Sequence, residues 1–336
     1  MNMNENKKKV LITGATGFMG SYLVPKLVSE NCEVRILVRD RNRALNLFGN
    51  TCEIVCGDIT DSDSLKGCCD DIDVVYHMAA LMGHDSPSEE AFNRFRKVNV
   101  DGVNNIISEA IKSGVKRFIH ISSTAAMGLQ DAEIVDETLE CKPYTPYQMT
   151  KYEGELCVLD AVKNKQLPGL IVRPSMVYGP GFKGDFLTLA KVCKTGFFPK
   201  IGLGENLSPA LYITDLVEGL WELASKGKVG EVYLLSSKES YSLKDTALII
   251  SKALKKRIIF VYVPRFCAVM GASMLEKLCS LVGKKPMVTK RNIQSISKNR
   301  TVDISKLIND VGFIPKVPLQ EGLPKTICYF QEQKYI

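Results

Sequence analysis

Apolar residues along the first half of the chain follow two rhythms. Short, near-continuous apolar runs at residues 10–13, 33–38, 53–56, 73–77, 117–122 and 169–172 read as strands. Longer stretches with helical spacing lie at 61–69, 92–113 and 146–163. Another follows residue 20, where Leu23, Val24, Leu27 and Val28 fall on one side. Adjacent parallel strands need a crossover, and strands alternating with helices supply one. Strands that are apolar at nearly every position are buried on both faces. The expected class is α/β, a doubly wound parallel sheet flanked by helices.

After Pro174 the rhythm loosens. Gly179-Pro180-Gly181 marks a turn, residues 211–213, 231–235 and 258–263 read as late strands, and 216–224 reads as a helix. The remainder is mainly helical, with no repeat and no low-complexity linker. The expected organisation is a sheet domain over 1–178, rejoined by 208–236. A smaller, mainly helical lobe from 179–207 and 237–336 would cover a substrate.

Composition narrows the picture. With 336 residues and 45% hydrophobic content the chain can build a core, which excludes a disordered protein. The net charge of +7 suits small anionic ligands and is no nucleic-acid signature. Eleven cysteines form no C-x-x-C pair, and the three histidines, His77, His84 and His120, give no metal-binding spacing. Reduced thiols in a cytoplasmic protein without a metal are expected. Asn4 to Lys9 is polar and runs into a strand, so no signal peptide is expected. The apolar stretch 258–282 is broken by Pro264, Arg265, Glu276 and Lys277. It falls short of the ~20 residues of a membrane span, and is expected to be buried in the fold, with peripheral contact with a membrane surface as the lesser alternative.

Thr13-Gly14-Ala15-Thr16-Gly17-Phe18-Met19-Gly20 follows the first strand and opens the first helix. Gly14 permits a tight turn, Gly17 lets backbone approach a pyrophosphate, and Gly20 lets helix and sheet touch. Free N–H groups at the helix N-terminus suit phosphate. The expected ligand is a dinucleotide in a Rossmann-type fold. The second strand ends at Val38, where an acidic residue would bind the ribose hydroxyls of NAD. Arg39 follows, with Arg41 and Arg43 beyond, and suits the 2′-phosphate of NADP. NADP is therefore favoured over NAD, with Asp40 as the residue that could reverse the preference.

Further fragments follow in order: Cys56-Gly57-Asp58-Ile59-Thr60-Asp61, His77-Met78-Ala79-Ala80, Val98-Asn99-Val100-Asp101-Gly102, Ile121-Ser122-Ser123-Thr124, Tyr147-Gln148-Met149-Thr150-Lys151 and Arg173-Pro174-Ser175-Met176-Val177-Tyr178-Gly179-Pro180. The ordered set resembles the extended short-chain dehydrogenase/reductase family, also called the NAD-dependent epimerase/dehydratase family. The resemblance runs nearly end to end. It implies that Thr16, Phe18 and Met19 bind the cofactor with the glycines, and that Asp58 and Ile59 contact the adenine. It also implies that Ala79, Ala80 and Leu81 line the cofactor channel, that Asn99 fixes the fold there, and that Pro174 and Val177 approach the nicotinamide. A homodimer is implied too, through 92–113 and 146–163. Met149, Leu156, Leu159 and Val162 there exceed one core-facing stripe.

Tyr147 and Lys151 are spaced i, i+4, which puts both on one helix face. A free tyrosine has a pKa of about 10, so it needs a nearby cation to serve as a base near neutrality. Lys151 is expected to supply that charge and to hold ribose hydroxyls, while Ser123 steadies the substrate oxygen. Tyr22 and Lys26 repeat the spacing within the first helix and are read as structural.

Several chemistries share such a scaffold. Thr124, Ala125 and Ala126 offer no extra acid, which argues against dehydratases and decarboxylases of sugar nucleotides. Ser208 falls where many sugar-nucleotide epimerases carry an arginine, although Lys200 or Lys183 could substitute. Val34-Arg35-Ile36-Leu37-Val38-Arg39 resembles dihydroflavonol reductases, and Lys285-Pro286-Met287-Val288-Thr289-Lys290 the 3-beta-hydroxysteroid dehydrogenase-like branch. The basic stretch 284–300 suits a solvated face, an acidic substrate or a membrane surface. The expected function is an NAD(P)-dependent alcohol dehydrogenase or ketoreductase for a rather apolar small molecule such as a sterol or 3-ketoacid. A sugar-nucleotide 4-epimerase is the alternative. A non-catalytic dinucleotide-binding protein is disfavoured, since Tyr147 and Lys151 are both present.

Overall fold

The computed structural model describes residues 7–83, 87–130, 132–202, 204–281 and 301–336. Seven strands form the main sheet: β1 (Lys9–Thr13), β2 (Glu33–Val38), β3 (Glu53–Cys56), β4 (Val74–His77), β5 (Arg117–Ile121), β7 (Gly169–Pro174) and β11 (Val232–Leu235). Their order is β11-β7-β5-β4-β1-β2-β3, and every pairing is parallel. The direction of winding reverses at β1, so a crevice opens beyond the carboxyl ends of β1 and β4. This is the expected Rossmann-type sheet.

Side chains alternate across the strands and divide the core in two. Val10 and Ile12 enter one apolar cluster and Leu11 the other. Ile36 and Leu37, Tyr76 and Val75, and Val172 and Ile171 divide in the same way. Helices α1 (Phe18–Ser29) and α7 (Ile213–Lys226) cover the first face. Helices α4 (Gly102–Lys112) and α5 (Pro146–Lys165) cover the second.

The later chain builds smaller units. β8 (Met176–Tyr178), β10 (Leu207–Tyr212) and β12 (Ser240–Ser242) form a three-stranded sheet. β9 (Phe197–Ile201) pairs in parallel with β13 (Ile259–Val263), and β6 (Ile134–Val135) with β14 (Thr301–Val302). Helices α6 (Asp185–Lys194), α8 (Leu243–Ala253) and α9 (Arg265–Leu281) accompany them, with two more at Ser305–Val311 and Leu319–Glu332.

Four local expectations are corrected. Residues 61–69 hold only a 3-10 turn, Ser62–Leu65, because Asp61 caps it and Gly67 has a φ of +74°. Residues 92–113 are not one helix. Helix α3 (Glu89–Arg96) starts earlier, capped by Ser88, and a π turn over Lys97–Asp101 separates it from α4. The strand expected at 211–213 is β10, which starts at Leu207, and Ile213 opens α7. Val28 is exposed, whereas Leu23, Val24 and Leu27 are buried. His84 and the stretch 284–300 lie outside the described residues.

Candidate active site

A cleft of about 820 Å³ opens at the switch in winding. Gly14, Thr16, Gly17, Phe18, Met19 and Gly20 form its floor. Gly14 has a φ of +75°, and a Cβ there would stand 2.8 Å from Ala79 N. The turn off β1 and the chain leaving β4 thus approach as only glycine allows. A Cβ on Gly20 would stand 2.4 Å from Ala15 O, which closes α1 onto the turn that leaves β1. Gly17 caps α1 without a side-chain bond, and the first turn carries no acid. That end is suited to an anion by its backbone and dipole.

At the tip of β2, Val38 and Arg39 line the cleft, with Asp58 and Ile59 opposite. Arg43 also lines it, and its Nη2 donates to Thr16 O at 2.9 Å. Arg41 does not face the cleft, because its guanidinium donates to Ile54 O at 3.1 Å. Burial pulls the Asp58 carboxyl upward. Hydrogen bonds from Thr60 N and Oγ1, both 2.9 Å, with the charges of Arg39 and Lys97, outweigh burial and hold it below the usual carboxylate value. A dinucleotide fits this lining: glycine backbone and a helix end for phosphate, apolar Leu37 and Ile59 for the base, and guanidinium at the ribose end.

Ala79, Ala80, Leu81, Pro174 and Val177 all lie along the cleft. Asn99 does not line it. Set by the π turn, its side chain accepts from Leu81 N at 2.8 Å and donates to Leu81 O at 3.0 Å and to Thr150 Oγ1 at 3.1 Å. It pins the channel wall to α5. Gly154 allows this contact, since a Cβ there would stand 2.5 Å from Asn99 O.

Tyr147 and Ser123 face the cleft together. Thr145 caps α5 in a reciprocal capping box with Gln148, and Pro146 opens the helix, so Tyr147 sits in its first turn. Ser123 caps the 3-10 turn Thr124–Met127, accepting from Ala125 N at 3.1 Å. Burial pushes the Tyr147 phenol up, and its hydrogen bond with Ser123 opposes that. Lys151 contributes nothing resolved to this balance. It lies behind the wall rather than in it, and its Nζ donates to Ile121 O at 2.8 Å. Burial lowers its pKa to about 8, against the pull of Glu155.

Three features escaped the sequence reading. His77 and His120 pair across β4 and β5 with ring centroids 5.5 Å apart. Burial, then the charge of Lys151, holds both neutral, with His77 near 3. Glu155 and Arg173 form a buried ion pair, 2.6 Å from Nη2 to Oε2. Gln148 also lines the cleft beside Tyr147. Glu155 stands four residues after Lys151, a visible spacing, but its partner on β7 is visible only in the fold.

Outside the motifs already placed, the cleft is lined by Met82, Met127, Leu129, Met176, Phe182 and Pro209, with Gln130, Ser208 and Asp185; Phe182 stacks on Phe18, ring centroids 5.0 Å apart. Among the described lining residues the cations are Arg39 and Arg43, both at the ribose end. Lys200 is not among the lining residues, and Lys183 places its Nζ 3.9 Å from the centroid of the Tyr335 ring. Among the described residues no group of three or more His, Cys, Asp or Glu could hold a metal.

Residues 10–236 match the profile of the NAD dependent epimerase/dehydratase family. The chain belongs to this family. As a member it is an NAD(P)-dependent enzyme, an oxidoreductase or epimerase of the extended short-chain dehydrogenase type. It is 29% identical to a 3beta-hydroxysteroid-dehydrogenase/decarboxylase of Arabidopsis thaliana, over 99% of this chain and 82% of that protein. It is 30% identical to a UDP-glucose 4-epimerase of Vibrio cholerae, over 96% and 95%. Among solved structures, a UDP-glucuronic acid 4-epimerase of Bacillus cereus in complex with NAD is similar, with a TM-score of 0.77 and 25% identity over 98% and 100%. Family members of this similarity thus include both sterol and sugar-nucleotide enzymes.

Proposed function

We propose that this family member is a dehydrogenase or ketoreductase that prefers NADP(H) and acts on a hydroxyl or keto carbon of a rather apolar substrate, such as a sterol or 3-ketoacid. The observation that carries this reading is the lining of the cleft outside the cofactor motifs, largely apolar and with no described cation besides Arg39 and Arg43. A sugar nucleotide brings a diphosphate, and burying that charge unpaired is costly. The bound nicotinamide would supply or take the hydride. Tyr147 exchanges the proton at the substrate oxygen, and Ser123 hydrogen-bonds the same oxygen as charge develops there. Lys151 holds a buried charge one helical turn along α5, and Asn99 keeps the channel wall in register. Residues 179–207 and 237–336 act as the substrate lobe of this reading.

The test is reduction or oxidation of a panel of hydroxysteroids, 3-ketoacids and UDP-sugars with each cofactor. Turnover of sterols or ketoacids is expected. Turnover of UDP-sugars alone, with NAD retained through purification, would replace the proposal with a 4-epimerase, the reading favoured by the Vibrio cholerae relative. Two further proposals accompany it. Leu156 is 45% exposed on α5, and it supports a homodimer through α3, α4 and α5. All eleven cysteines are free, which supports a reducing, cytoplasmic location.

A further inference from the structure

Among the described residues, a long run of uncovered apolar side chains lies far along the chain from the catalytic motifs. In the β9–β13 ribbon, Phe198 and Phe260 pack inward with ring centroids 5.9 Å apart. The alternate residues Phe197, Ile259 and Val261 are exposed, with Phe197 and Ile259 paired in register. Pro264 alone separates this ribbon from α9. Along α9, Phe266, Met270, Met274 and Leu278 recur every fourth residue and are 72%, 56%, 64% and 51% exposed. Of Arg265 to Cys279 only Ala272 is buried. Each such side chain left in water forgoes the free energy of burial. A monomeric surface rarely carries a contiguous patch of this kind without a partner.

Charge indicates the partner. Between Asp245 and Glu276 the sequence holds Lys252, Lys255, Lys256, Arg257 and Arg265 and no acid, and all five cations are exposed. Lys256 additionally donates to Lys194 O. An apolar stripe bordered by cations matches the interface of an anionic lipid bilayer, where apolar side chains enter the acyl boundary and cations meet headgroups. No described helix is long and apolar enough to cross a membrane, so α9 would lie in the interface plane.

We propose that β9, β13 and α9 form a peripheral docking surface for an anionic membrane. The inference is independent of the substrate reading. It is tested with the full chain and sedimented vesicles of phosphatidylcholine alone or mixed with phosphatidylserine. Binding is expected to the mixed vesicles, weakening as salt rises. Lys255→Glu with Arg257→Glu and Arg265→Glu should weaken it by roughly 100-fold or more. Phe266→Ser with Met270→Ser and Met274→Ser should abolish it. Circular dichroism checks that both variants fold, and the wild-type salt and lipid dependence stands apart from either. Three results would overturn the proposal. One is absence of binding to the mixed vesicles. The second is concentration-dependent association lost in the serine variant, which assigns the face to a second copy. The third is a lower melting temperature in the serine variant without wild-type vesicle binding, which assigns it to another segment of this chain.

Discussion

Asp40 is tied to Arg43: its carboxylate accepts from the Arg43 backbone N–H at 3.0 Å and so caps α2 (Arg41–Phe48). The acid closest to the tip of β2 is therefore engaged at a helix end, while Arg39 lines the cleft. A carboxylate committed to a cap is poorly placed to accept from ribose hydroxyls, and an arginine in the cleft suits a phosphate.

Arg39→Ala should accordingly weaken NADP(H) binding by roughly 10- to 100-fold and NAD(H) binding far less. Fluorescence titration of both cofactors measures this. Equal affinities in the unsubstituted protein would show that Arg39 serves the solvent rather than the cofactor.

Tyr147→Phe should lower turnover by roughly 10²- to 10⁴-fold with cofactor affinity retained. Tyr22→Phe provides the control. The Tyr22 hydroxyl donates to Pro180 O at 2.8 Å, so that change should cost about 1 kcal/mol of stability and spare turnover. Paired steady-state assays and thermal melts separate the two, and near-normal turnover in Tyr147→Phe removes Tyr147 from the mechanism.

Lys151 should impose a stability penalty that depends on pH. Its folded pKa, about 8, lies below the unfolded value of ~10.4, so the unfolded state binds more protons between them. The penalty is fully present below about 8 and fades as pH rises toward ~10.4. Denaturant melts of the wild type and Lys151→Met should therefore converge or cross over that window. A difference that stays constant with pH would mean that Lys151 titrates alike in the folded and unfolded states, so that burial does not depress its pKa.

The Glu155–Arg173 pair should be stabilising only as a pair. Glu155→Gln leaves Arg173 buried without a counter-charge, a loss of roughly 3–5 kcal/mol. Combining it with Arg173→Met should recover much of that loss. Equal instability of single and double variants would indicate a packing role instead.

Leu156→Arg should convert the proposed dimer to a monomer of 37.3 kDa, with the wild type at twice that mass. Light scattering with cofactor present decides it, and a monomeric wild type ends the proposal.

Most of the parallel strands were legible because they are apolar through both faces, so period and length agree; the edge strand β3 is exposed at Glu53 and Cys56 and was legible by length and its two central β-branched residues. β2 and β3 were bounded to the residue. The glycine turn and Tyr147 were legible because their chemistry is local: a turn, a helix end, one face of a helix. Lys151 was legible as a residue but not as a geometry. Its tie to Ile121 O depends on where β5 passes beneath α5, thirty residues away in sequence. The π turn at Lys97–Asp101 was hidden because its residues still read as helical, and only the contacts of Asn99 explain it. Of the small sheets, β10 and β13 were legible in part, whereas β6, β8, β12 and β14 were missed because they are two or three residues long, too short for any periodicity to register.

The return of the chain to the sheet at β11 has a consequence for biosynthesis. β7 pairs with β5 on one side and with β11 on the other, and all six of its residues are buried. While Val232–Leu235 remains in the ribosome, the outer edge of β7 has no partner. Its unpaired N–H and C=O groups form a template for pairing with another nascent chain. At ~5–20 residues per second, translation from Pro174 to Val232 leaves that edge open for several seconds. Growth temperature and chaperone supply should therefore govern the yield of soluble protein through this interval, and chains terminated before residue 232 should be recovered as aggregates.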